Sequence, residues 1–122
     1  MSHWFALLYK LKPGTEDDVR DLFANSGRPD HEVKDDDGNI VGKLLTTLVF
    51  VGEETAVRVI EVEGDLRQVP RHMGKQPVVA AFEEEIEQYL SEPRDMRSPE
   101  GAVAFFRKRG LRLALERRLG QD

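Results

Sequence analysis

Four groups of side chains in this sequence have the type and spacing for chemistry. Arg58 lies between Val57 and Val59 in an alternating apolar run, so its guanidinium shares a strand face with Ala56 and Ile60. A cation on such a face needs an anionic partner, either a carboxylate of the same chain or a ligand, because burial unpaired is costly. Arg28-Pro29-Asp30-His31 gathers a fixed cation, a carboxylate and an imidazole in consecutive residues. Asp beside His can orient the ring and raise its basicity; the alternative is a surface loop of turn-forming residues. Arg71-His72-Met73 puts a second imidazole on a short helical segment, as a proton carrier or as a packed helix residue. Trp4 and Tyr9 stand an odd number of residues apart on the first apolar run, so they fall on opposite strand faces and only one can line a given cavity. The core is the other home for strand aromatics.

The chemistry available is therefore proton transfer by His31, His72 or Asp30 and fixed positive charge from Arg58 or Arg28. The chain has no cysteine, so thiolate ligands, thiol nucleophiles and disulfides are excluded. His3, His31 and His72 show no His-x-x-x-His spacing, and there is no glycine-rich phosphate loop or Gly-x-Ser-x-Gly elbow. Neither a metal site nor a cofactor is expected.

The elements that must position these groups follow from periodicity and punctuation. Residues 3–11 read as a strand closed by Pro13-Gly14. Thr15 reads as an N-cap, with acidic residues in the first turn and Val19, Leu22 and Phe23 at helical spacing. After a polar stretch, Asp35 to Asn39 signals a turn, and residues 40–51 and 55–63 form a hairpin. Asp65 caps a short helix over 66–74 that Pro70 can bend or divide. Pro77 opens the next helix, whose apolar stripe leaves Glu83, Glu84 and Glu87 outside. Ser98-Pro99-Glu100 opens another, and Leu111, Leu113 and Leu115 predict a last strand over 111–116.

The order β-α-β-β-α, an extra helix, then β predicts an α+β fold, a single ferredoxin-like domain over 1–122. Residues 40–51 are apolar at odd and even positions: Leu44, Leu48 and Phe50 on one side, Leu45, Val49 and Val51 on the other. Both sheet faces then need cover; two helices cover one, and a second copy of the chain is the simplest cover for the other.

Charge is unevenly placed. The net charge of −5 divides into −9 over residues 1–92 and +4 over 93–122. An acidic body argues against nucleic-acid binding. No apolar run reaches the roughly 20 residues of a membrane span, and the first residues lack a signal peptide's features, so a cytoplasmic protein is expected. The basic C-terminal extension either docks an acidic partner through Arg107, Lys108 and Arg109, or its Arg107 and Arg109 pair with the Glu83–Glu87 helix face or with the other subunit.

In Lys12–Glu16, Gly27–His31, Asp37–Gly42, Arg58–Asp65, Arg71–Met73, Pro93–Met96 and Ser98–Gly101, the chain resembles the SchA/CurD-like family of proteins encoded in aromatic polyketide and spore-pigment clusters. Over 76–90 and 57–63 it is more distantly similar to the tetracenomycin-type polyketide cyclases, although those carry a His where this chain has Arg58. With the cofactor-free antibiotic-biosynthesis monooxygenases, these are dimeric α+β barrels. The resemblance implies a homodimer that closes or aromatises a poly-β-ketone intermediate by acid–base catalysis. His31, His72, Asp30 and Arg58 would be catalytic, and Arg28, Arg71, Trp4 and Tyr9 would contact substrate. Cofactor-free oxidation of an anthrone-like phenol and a non-catalytic chaperone role are the alternatives. An acyl carrier protein is the acidic partner the resemblance implies for the basic extension.

Overall fold

Alternating apolar residues build the sheet, and the computed structural model describes residues 2–120. The strands are β1 (Ser2–Lys10), β2 (Glu32–Lys34), β3 (Ile40–Val51), β4 (Thr55–Gly64) and β5 (Gly110–Arg112). The helices are α1 (Glu16–Ala24), α2 (Val69–Gly74), α3 (Pro77–Ile86) and α4 (Pro99–Arg109). All strand pairs are antiparallel, in the order β2-β3-β4-β1-β5. With β2 set aside, this is the ferredoxin-like arrangement, an α+β fold with α4 inserted before the last strand.

Local signals act largely as expected. Ser98 caps α4 by accepting from the Gly101 N–H, and Asp65 accepts from the Arg67 N–H at the 3₁₀ turn Leu66–Gln68. That turn runs into α2, where Pro70 occupies a first-turn position whose missing N–H costs nothing. Gly64 ends β4 at φ +100°, where a Cβ would collide with the Val41 carbonyl oxygen. Thr15 precedes α1, yet its hydroxyl donates to the Lys12 carbonyl at 2.7 Å and caps nothing.

Three expectations need correction. The polar stretch after α1 contains β2, which pairs with β3 through Glu32 and Val33. Three residues with one buried apolar side chain carry no alternation to detect. The last strand stops at Arg112, leaving Leu113 and Leu115 exposed beyond it. The third correction is a bulge between Leu44 and Thr46, which puts Leu44, Thr47, Val49 and Val51 on the helix face with Val62, Ile60, Arg58 and Ala56. Leu48 and Phe50 turn outward beside Val59 and Val57, so the simple alternation assigned to this strand fails at the bulge.

The core lies between the helices and one sheet face. Leu7, Tyr9, Ile60 and Val62 from the sheet meet Val19, Val79, Phe82 and Ile86, and Met96, Ala102 and Phe105 from the C-terminal part join the same cluster. Among the described residues, no helix covers the outer face. Trp4, Ala6 and Leu8 on β1 register there against Glu61, Val59 and Val57, and Leu111 pairs with Ala6. Leu48 is 44% and Phe50 63% exposed.

Candidate functional site: a cavity floored by a buried arginine

Strand β4 places Arg58 on the helix face, in register between Leu7 and Val49. The helices then close over it, leaving Arg58 8% exposed. Its guanidinium carbon lies 5.8 Å from the ring centroid of Tyr9, 5.4 Å from Phe23 and 5.1 Å from Phe82, so β1, α1 and α3 each contribute an aromatic face to one cation. Among the described residues it makes no side-chain hydrogen bond and no ion pair; the rings are its recorded neighbours. Of the two partners weighed from the sequence, the internal salt bridge is absent.

The guanidinium opens onto a cavity of about 270 Å³ between the β3–β4 surface, α3 and the loop after α1. Phe23, Ile60, Met73 and Phe82 make its wall apolar, Thr47 and Ser26 add hydroxyls, and Arg28 stands at the loop side. No acidic side chain and no imidazole lines it among the described residues. Two sequence-predicted residues, Arg58 on β4 and Arg28 in the loop after α1, thus line one cavity.

Behind Arg58 lies a buried network that sequence reading missed. The Tyr9 hydroxyl donates to Glu83 Oε1 at 3.0 Å, and Arg94 forms an ion pair with Glu83 Oε2. The Arg94 guanidinium sits 4.4 Å from the Phe105 ring and 5.4 Å from that of Tyr9, so Tyr9 lies between two cations. Glu83, read as an outward residue, is 2% exposed. The signal was present: Glu83 falls four residues after Val79 and three before Ile86, inside the buried stripe of α3. Burial pushes the Tyr9 phenol far above its ordinary range, with Glu83 adding to the effect and the two arginines opposing it. Tyr9 is therefore a neutral donor at physiological pH.

The remaining predicted residues gather elsewhere. Asp30 and His72 meet, but through the backbone: the His72 ring Nε2–H donates to the Asp30 carbonyl at 2.9 Å. Gln76 Oε1 accepts from the Asp30 N–H, so α2 and the segment after it tie down the loop beside Arg28. The Asp30 carboxylate accepts from the Glu32 N–H, and this bond, with Lys34, His72 and His31 nearby, holds it below the usual carboxylate range. His31 is exposed, and Arg71 pairs with Asp36 at 3.0 Å. Trp4 is on the outer face, opposite to Tyr9 and to the cavity. His72 is 2% exposed, and among the described residues its ring bond is the one polar tie its side chain makes across the fold. His72→Ala is expected to lower stability by about 1–3 kcal/mol, the cost of stranding the Asp30 carbonyl, read as a fall in the urea midpoint; unchanged unfolding would contradict this positioning role.

Around the C-terminal extension, Arg109 pairs with Glu92 at 2.5 Å, and Lys108 approaches the same carboxylate at 3.9 Å. The expected pairing of Arg109 with the Glu83–Glu87 face is replaced by Glu92, which the chain places beside the end of α4, while Arg94 and Arg97 of the same extension pair with Glu83 and Glu84. Arg107 and Arg112 instead border an open apolar groove of about 390 Å³ with Phe5, Pro70, Phe106 and Leu111. That groove holds no buried charge, which is why the Arg58 cavity is the stronger chemical site.

Residues 2–117 match the model of the SchA/CurD-like domain. The chain belongs to the SchA/CurD-like family. It is 39% identical over 101 residues to "Polyketide synthase CurD" of Streptomyces cyaneus, covering 83% of this chain and 26% of that protein. It is equally similar, 39% over 101 residues, to a "42.8 kDa protein in whiE locus" of Streptomyces coelicolor, of which 24% is covered. Protein SchA of Streptomyces halstedii is 34% identical over 106 residues, 87% of this chain and 27% of that protein. The SchA/CurD-like chain thus spans about a quarter of the length of the curated relatives it matches. No solved structure matches it. Among the described residues, no helix is long and apolar enough to cross a membrane.

Proposed function

We propose that this SchA/CurD-like domain acts in polyketide biosynthesis, holding an enolised poly-β-ketone intermediate so that it closes and aromatises a ring. The observation that carries the reading is Arg58: a guanidinium only 8% exposed, with no partner among the described residues, at the floor of an apolar cavity. The family membership, and a relative named as a polyketide synthase, supply the substrate class. A methylene between two carbonyls is already acidic, so the demanding task is to stabilise the oxyanion, which a preorganised cation does best in a dry site. Arg58 would take the enolate oxygen and Arg28 a second carbonyl. The proton would leave to water or to Asp30 and His31 beside the loop. The apolar wall would keep the chain folded for attack.

The test is to incubate the purified protein with a synthetic poly-β-ketone thioester and follow ring-closed products by mass spectrometry. An acceleration of at least about tenfold, lost in Arg58→Met, is the expected result, since a single oxyanion donor is worth roughly 100-fold or more. An unchanged spontaneous product profile would overturn it. Oxygen consumption in the same assay with an anthrone would favour cofactor-free oxidation of a phenol. One observation favours a non-catalytic, holding role: the cavity lining contains no carboxylate or imidazole among the described residues. That role predicts binding without turnover.

Two partners belong to this reading. A second copy of the chain would cover the outer sheet face, where apolar residues are flanked by Lys43 opposite Glu63, charges of both signs that suit a self-complementary contact. An acidic acyl carrier protein would meet Arg107 and Arg112 at the groove by α4, because Arg109 and Lys108 are occupied with Glu92.

A further inference from the structure

The charges inside this domain do not balance. Arg58 and Glu83 are buried, and the Arg94 side chain, 5% exposed, lies with them around Tyr9. Glu83 is committed to Arg94 and to the Tyr9 hydroxyl. Tyr9 is neutral, because burial drives its phenol upward. Among the described residues the interior therefore holds two guanidinium charges and one carboxylate, and the uncompensated cation, Arg58, is the one that faces the cavity. The three rings around it contribute only their quadrupoles, which attract a cation but leave its charge in place.

We propose that the Arg58 cavity is a binding site for an anionic, planar, unsaturated ligand, which supplies the missing negative charge and is bound with its oxygen ionised. This deepens the reading above and rests on the same cavity, but it concerns the charge of the ligand and not its conversion. The volume of about 270 Å³ sits just below the usual range of about 300–1,000 Å³ for ligand cavities and suits one or two fused rings. The walls of Phe23, Phe82 and Met73 offer contact to ring faces, and the Thr47 hydroxyl is a further donor on the β3 side. Arg28 at the loop side adds attraction without desolvation, so it affects the rate of entry more than the preference for charge. A neutral carbonyl at the same position leaves the cation desolvated and unpaired. A charge-assisted bond removes that penalty, so the site discriminates by charge at equal shape.

The experiment compares 1-naphthoate with 1-naphthamide by calorimetric titration of the full chain at low salt. Naphthoate is expected to bind at least tenfold more tightly than the amide. The preference should collapse towards unity in Arg58→Met, survive in part in Arg58→Lys, and persist in Arg28→Ala with weaker binding overall. Arg58→Met should melt at the same temperature as the parent or higher, since it removes a buried charge without stranding a partner. A second measurement needs no variant. Bound 2-naphthol should ionise more readily than the free compound, its acidity constant raised roughly 10- to 1,000-fold by the adjacent cation, seen as naphtholate absorbance at a pH where free naphthol shows none. Equal affinity for naphthoate and naphthamide, or bound naphthol titrating as it does free, would overturn the proposal. The charge preference without acceleration of the thioester would sink the cyclisation reading and leave the anion site standing. Acceleration with no charge preference would do the reverse.

Discussion

Glu83→Ala is expected to destabilise the domain by about 3–5 kcal/mol, a large part of the about 5–15 kcal/mol available to a domain of this kind. The substitution leaves Arg94 buried with no carboxylate, and two of its nitrogens, Nε and Nη1, already lack a partner. It also removes the acceptor of the Tyr9 hydroxyl. The loss is thus one stranded polar group, the Tyr9 hydroxyl, and one stranded charge, Arg94. The same logic predicts rescue: Glu83→Leu with Arg94→Met and Tyr9→Phe replaces the network by apolar groups of similar volume and should recover most of the stability. Urea unfolding of the single and triple variants measures both. A loss below about 1 kcal/mol in Glu83→Ala would show that the network does not anchor the core. Because Tyr9 also stacks on Arg58, Glu83→Ala should weaken the anion site only as far as the fold loosens.

The second large effect concerns the outer face. Leu48→Asp combined with Phe50→Asp is expected to convert the proposed dimer into a folded monomer. Each apolar side chain contributes about 1.5–3 kcal/mol when fully buried, and a twofold interface counts every substitution twice. Both residues are partly exposed in the single chain, 44% and 63%, so they have surface left to bury. A loss of at least about 4 kcal/mol follows, or about 1,000-fold in the dissociation constant. Sedimentation equilibrium reads the mass and circular dichroism the fold. A parent chain that is monomeric at micromolar concentration would refute the proposed partner outright. The cavity of Arg58 opens on the other face, so the monomeric variant should keep its naphthoate affinity.

Local chemistry alone determined much of this protein. Period-two alternation put Arg58 on the apolar face of β4 and Trp4 and Tyr9 on opposite faces, because successive strand side chains must point to opposite sides. Pro77, Ser98 and Asp65 marked helix starts through groups that act within a few residues. Tertiary structure decided the rest. Whether Arg58 finds a carboxylate depends on which side chains converge from β1, α1 and α3, and aromatic rings arrived where a salt bridge was one of two expectations. Glu83 became an interior residue because Tyr9, 74 positions away, and Arg94 offered it partners; on an isolated helix it is simply a charge among charges. The bulge at Leu44–Thr46 reassigned the faces of β3 by one residue, a choice made by pairing with β4 and silent in a strand that is apolar throughout. Sequence fixes what a residue can do and which way its neighbours incline it; which groups meet, and which are left alone, is settled by the packing energy of the whole chain.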